Sequence, residues 1–203
     1  MQHNQPNPKL APPGAGIPWT DRLLGHLFLR PFVAEKTPWQ TSTERFLKNH
    51  SKILKELEGL SPDQLNAKIL VPPQKGLEDS SRFWSVAMTL EHLLIVGNRI
   101  QTGIIELSAG RTINEKVDIA KVKPQGSKDL GHLLSDFKNF AENTPKIIAS
   151  QIQDQNSKAK YYHPWFGSLS MTGWYWLLAM HGGIHLQQIR EIKKGLGLVT
   201  NLK

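Results

Sequence analysis

The sequence predicts an all-α protein, an antiparallel four-helix bundle, and three observations lead there. Four long segments repeat large apolar residues at steps of three and four, the period of an amphipathic helix. Polar stretches containing Pro or Gly separate them. No segment alternates apolar and polar side chains in the manner of a half-buried strand.

Residues 1–17, beginning Met1-Gln2-His3-Asn4-Gln5-Pro6, are rich in Pro, Gly, Asn and Gln and read as a flexible tail. A short helix follows, capped at Thr20-Asp21, carrying Leu23, Leu24, Leu27 and Phe28 and ended by Pro31. The first long helix spans about Thr41 to Leu57 on Phe46, Leu47, Ile53, Leu54 and Leu57. Ser61-Pro62-Asp63-Gln64 starts another turn, with Ser61 as cap and Pro62 in the first helical position. Val71-Pro72-Pro73 is loop. The second long helix begins at the Ser85 cap and ends near Ser108, before Ala109-Gly110. Arg111 to Lys123 reads as extended or loop. The third helix covers about Ser127 to Ile152, and Pro145 should kink or interrupt it by removing a backbone donor. After the aromatic loop Tyr161-Tyr162-His163-Pro164-Trp165-Phe166-Gly167, the fourth helix runs from Ser170 to Lys194.

With 203 residues the chain is long enough for one well-buried core, and 18–203 reads as a single domain. There is no cysteine, which excludes a disulfide scaffold, thiolate zinc sites and a cysteine nucleophile, and fits a reducing cytoplasm. The N-terminus lacks the apolar core of a secretory signal, and no run is long enough to span a bilayer, so no membrane partner is expected. The net charge of +8 invites a nucleic-acid reading. However, Lys48, Lys52, Lys55, Lys121, Lys123, Arg190, Lys193 and Lys194 are scattered. They read as solvated helix faces, with no specific nucleic-acid partner.

His181 and His185 stand one helical turn apart, so both imidazoles share a face with Trp174, Leu178, Gln188 and Ile192. Burying two basic rings there is costly unless something compensates, and neutral imidazole is the commonest metal ligand. His92 lies mid-helix on a stripe with Trp84, Met88 and Ile95 and can supply a third ligand from a facing helix. His50, between Phe46 and Ile53, is a weaker fourth candidate, and His163 is another group that could close the site. His26 and His132 read as boundary or surface residues. Gly182 follows His181, so the zinc-protease pattern with its built-in glutamate is absent. Glu91 points about 100° away from His92 and reads as a surface or supporting residue.

Phe83-Trp84-Ser85, Leu90-Glu91-His92-Leu93, His163-Pro164-Trp165-Phe166-Gly167-Ser168-Leu169-Ser170, and Trp174 through His181-x3-His185-Leu186-x2-Ile189 together resemble the DinB/YfiT-like superfamily. The resemblance covers about Trp39 to Leu196. It implies a four-helix bundle with a long crossover connection, and His92, His181 and His185 match the family's three metal ligands. It also implies nickel, zinc or another divalent ion, and thiol-dependent transferases and isomerases among relatives. Members often carry an acidic residue where Met88 stands, so a carboxylate beside the metal is in question here.

Two enzymatic expectations follow. One is transfer of a small-molecule thiol, which a metal would deprotonate, to an electrophile. The other is hydrolysis by metal-activated water. A structural or sensory metal is the noncatalytic alternative, and a homodimer is open. The aromatic loop 161–167, with Trp84, either lines the mouth of the site or plugs the end of the bundle as core.

Overall fold

The computed structural model describes residues 8–16, 18–111, 113–126 and 129–199. In chain order the elements are α1 (Trp19–Leu24), α2 (Trp39–Leu57), α3 (Pro62–Asn66), β1 (Ile69–Leu70), β2 (Phe83–Trp84), α4 (Val86–Ser108), α5 (Leu130–Gln151), β3 (Tyr161–His163), β4 (Gly167–Leu169) and α6 (Met171–Gly195). The helix starts follow local chemistry. The hydroxyls of Ser85 and Ser170 accept from the amides of Met88 and Gly173, and Ser61 forms a reciprocal capping box with Gln64. Asp129 caps α5. The expected start at Ser127 lies outside the described residues.

α2 packs against α5 and α6, and α4 packs against the same two helices, so α2 and α4 lie across the bundle from each other. The connection from residue 58 to 85 must therefore cross the bundle, as the long crossover requires. Phe46, Ile53, Leu90, Ile104, Phe137, Ile148, Tyr175 and Leu178 fill the space between the helices and are fully buried. No helix among the described residues is long and apolar enough to cross a membrane.

Four features differ from the sequence reading. Pro31 does not end the N-terminal helix, because α1 continues as a π-helix over Gly25–Ala34. The wider winding, with the Glu35 amide donating to the Arg30 carbonyl, accommodates a residue that has no N–H of its own. α5 likewise runs through Pro145 without interruption, held on both sides by core contacts at Phe140, Ala141 and Ile148. Two short antiparallel ladders occur: β1 with β2, and β3 with β4. They are too short for alternation to register in the sequence. Finally, Arg190 and Lys193 are not on a solvated face. Both reach the fully buried Glu56 of α2, Lys193 Nζ at 2.6 Å and Arg190 Nε at 2.9 Å.

Residues 1–7 and Ile17 of the N-terminal segment lie outside the described residues. Within it, the amides of Ala11, Gly14 and Gly16 donate to the carboxylates of Asp79 and Glu78.

Candidate metal centre

α4 and α6 bring together the three histidines singled out in the sequence. His181 Nε2 lies 3.2 Å from His92 Nε2 and 3.0 Å from His185 Nε2. The ligand-capable atoms of all three fall within 4.8 Å of one another. The opposite ring nitrogens define the proton positions. His92 Nδ1 sits 2.7 Å from the Val122 carbonyl, which can only accept, so the proton is on Nδ1. His185 Nδ1 sits 2.7 Å from Gln188 Oε1. The Gln188 amide cannot be reversed, because its Nε2 donates to the Ser81 carbonyl at 2.7 Å. Both rings therefore turn bare Nε2 lone pairs toward His181.

A proton on His181 Nε2 could satisfy one of its two contacts, but not both. A cation at the point of convergence satisfies all three lone pairs, and an all-nitrogen donor set fits a borderline divalent ion. The His181 Nδ1 is buried without a hydrogen-bond partner. Burial, above all, holds His92 down at about 4 and His185 well below its ordinary value. For His181, burial comes first and the neighbouring imidazoles add to it. All three are neutral at pH 7, the state in which imidazole binds metal.

The cluster opens onto a cavity of about 480 Å³. Its walls are largely apolar, with Val96, Ile113, Leu177 and Ile184 among them. The β3–β4 hairpin folds back along the bundle to close one side, contributing Tyr161, His163, Trp165 and Phe166. Gly167, at φ 74°, permits the turn that closes the β3–β4 hairpin, where it pairs with His163. The hairpin thus lines the cavity, while Phe166 is also part of the core. Trp84 is not on the cavity wall. It backs the site instead, its ring parallel to His185 at 6.2 Å and tilted against His92 at 5.1 Å.

No family model and no curated protein matches this sequence. Solved structures resemble it, among them the following. TT2238, a four-helix bundle protein, is 20% identical with a TM-score of 0.51, over 75% of this chain and 98% of its own. YfiT from Bacillus subtilis, described as a probable metal-dependent hydrolase with an unusual four-helix bundle topology, is 15% identical with a TM-score of 0.60, over 87% of this chain and 99% of its own. The fold is a YfiT-like four-helix bundle.

Within this YfiT-like bundle the remaining candidates take other places. His50 does not join the cluster. Its Nδ1–H donates to the Phe46 carbonyl at 2.8 Å, and its ring stacks on Phe46 and packs against Phe137 and Phe140. Gly182 lets it approach α6, since a Cβ there would lie 2.7 Å from His50 Cε1. His163 borders the cavity but is outside the three-histidine group, and its Nδ1 accepts from the Trp165 amide. Glu91 is buried rather than on the surface, and its carboxylate accepts from the Gly126 amide at 2.8 Å.

Several groups at the site escaped the sequence reading. The sequence places Gln188 on the histidine face, but its role as acceptor behind His185 is not read from it. The Val122 carbonyl could not be found, because a backbone acceptor thirty residues from His92 leaves no side-chain signal. Lys123, read from the sequence as part of a solvated face, is instead half-buried on the cavity wall and pairs with the buried Glu78. Burial pushes the Glu78 carboxyl up, but hydrogen bonds from Lys123, Ser80 and the Gly16 amide outweigh this and leave it below the usual range.

Proposed function

We propose that the protein holds one divalent metal ion on the Nε2 atoms of His92, His181 and His185 and applies it to a small molecule in the adjoining cavity. The convergence of three neutral Nε2 lone pairs at the cavity, two of them aimed by acceptors behind the ring, carries this reading. Among the described residues no fourth histidine or carboxylate joins the group, which favours an open coordination position over a closed structural site. Nickel or zinc is the ion expected from this donor set. When bound, such an ion acts as a Lewis acid that lowers the pKa of a ligated thiol or water.

The chain's own residues supply the rest. Val122 and Gln188 fix the ring orientations of His92 and His185. The apolar walls exclude water and seat the nonpolar part of the substrate. Lys123 and Glu78 neutralise each other. The buried carboxylates of this region are already engaged, Glu78 by Lys123, Ser80 and the tail amides, Glu91 by Gly126. A nucleophile that ionises without a protein base suits such a site. A thiol, with an ordinary pKa of about 8.5, does so more readily than water.

The reaction is therefore transfer of a small-molecule thiol to an electrophile. Sulfur bonds to the electrophilic carbon, the leaving group departs with the bonding pair, and the thiol proton passes to solvent. The thiol comes from a cosubstrate, since the chain has no cysteine. Hydrolysis is the second reading, supported by the description of YfiT as a probable metal-dependent hydrolase. Low-molecular-weight thiols paired with alkylating electrophiles, and ester and amide substrates in parallel, separate the two. Metal-loaded protein should exceed its His92→Ala variant by at least about a hundredfold on one thiol pairing. Metal-dependent hydrolysis with no thiol transfer would establish the second reading, and equal rates everywhere would leave a noncatalytic metal site.

A further inference from the structure

The N-terminal helix carries a face that the metal reading does not use. Trp19, Leu23, Leu24, Leu27, Phe28 and Phe32 are all exposed, Trp19 at 73% and Phe32 at 62%. They recur at steps of one to four and form one stripe along the outer side of the stretch from Trp19 to Ala34. The inner side, with Gly25 and Ala34 buried, rests on β4 and α6. Isolated exposed apolar residues are ordinary, whereas a contiguous row of this size marks an interaction surface.

The charges around the stripe indicate what covers it. Arg22 and Lys36 are exposed, and Lys36 Nζ sits 5.4 Å from the centre of the Phe32 ring. The two acids of this stretch are half-buried, and Glu35 is occupied in accepting from the amide and hydroxyl of Ser170. The chain as a whole carries +8. A second copy would bring the same cations to a rim that has no exposed carboxylate to meet them. An anionic surface complements both the rim and the net charge, and aromatic and leucine side chains are the ones that settle at a lipid headgroup boundary.

We propose that the Trp19–Ala34 stripe is a peripheral membrane-docking surface, its apolar side chains entering an anionic leaflet with Arg22 and Lys36 against the lipid phosphates. The docked helix lies directly on the cavity hairpin. A Cβ at Gly25 would come within 2.8 Å of the Trp165 carbonyl, and Arg30 and His26 flank Gly167. The bilayer would thus lie beside the wall of the metal cavity.

Co-sedimentation of the full chain with vesicles tests this, using phosphatidylcholine alone and phosphatidylcholine with about 30% phosphatidylserine. The protein should pellet with the anionic vesicles and bind the neutral ones about tenfold more weakly. Replacing two exposed rings, in a Phe28→Ser/Phe32→Ser variant, should cost at least about tenfold on anionic vesicles with the thermal midpoint unchanged. An Arg22→Glu/Lys36→Glu variant should lose the preference for anionic lipid. Failure to pellet with anionic vesicles, or equal pelleting of wild type and the serine variant, overturns the proposal. So does light scattering that shows a dimer which the serine variant dissociates, since the stripe then belongs to a second copy.

Discussion

Glu91 and His92, adjacent in sequence, grip the same loop from one helix: Glu91 holds the Gly126 amide and His92 donates to the Val122 carbonyl. The ligand candidates were legible in the sequence because i,i+4 spacing fixes a shared face. The groups that orient them were mostly not, since which carbonyl meets a ring depends on how a distant loop lies. Gln188 tests that orienting role. Gln188→Leu removes the acceptor behind His185 and should weaken metal affinity by about 10–100-fold while leaving three histidines in place, as read by chelator competition. Unchanged affinity would show that Gln188 does not position the ring.

Acid sensitivity belongs to the same scale. Burial, before any other cause, holds His50 at about 4 and His163 at about 3. In the unfolded chain each titrates near about 6.5. Below that pH the unfolded chain binds protons that the folded chain refuses, so their effect is to keep stability full above about 6.5 and reduce it as the pH falls. For His50 the loss accumulates down to about 4 and amounts to about 3 kcal/mol. Denaturation of metal-free protein at pH 7.5 and at about pH 5 should show a lower midpoint in acid. Equal midpoints would contradict the assigned burial.

At the level of elements, the long helices were legible because each carries both an apolar period and, at most starts, a capping side chain. The hairpins and the π-helical turn were not, because ladders of two or three residues and one extra residue per turn lie below the resolution of periodicity. The charge pattern misled for a related reason. Lys193 and Arg190 look like a solvated helix end until α2 supplies Glu56. Glu56→Ala would leave Lys193 buried beside α2 without its carboxylate, and should destabilise the protein by about 3–5 kcal/mol. Chemical denaturation measures this, and a change below about 1 kcal/mol would mean that water replaces the pair.

For the whole molecule, the sequence indicated four amphipathic helices but not which would be neighbours, since an apolar stripe does not say which partner it meets. The observed arrangement, with α2 and α4 across the bundle and α6 between them, is what sets His92 opposite His181 and His185. The connections between the helices then supply the carbonyl, the ion pair and the aromatic hairpin around the cavity. A bound ion would tie α4 to α6 and favour the folded state by mass action.

Elemental analysis of untagged protein, wild type against single alanine variants, tests the central claim most directly. The account predicts about one divalent ion per chain in wild type and in His50→Ala, and almost none in His92→Ala, His181→Ala or His185→Ala. Stoichiometric metal surviving in both His181→Ala and His185→Ala would contradict it.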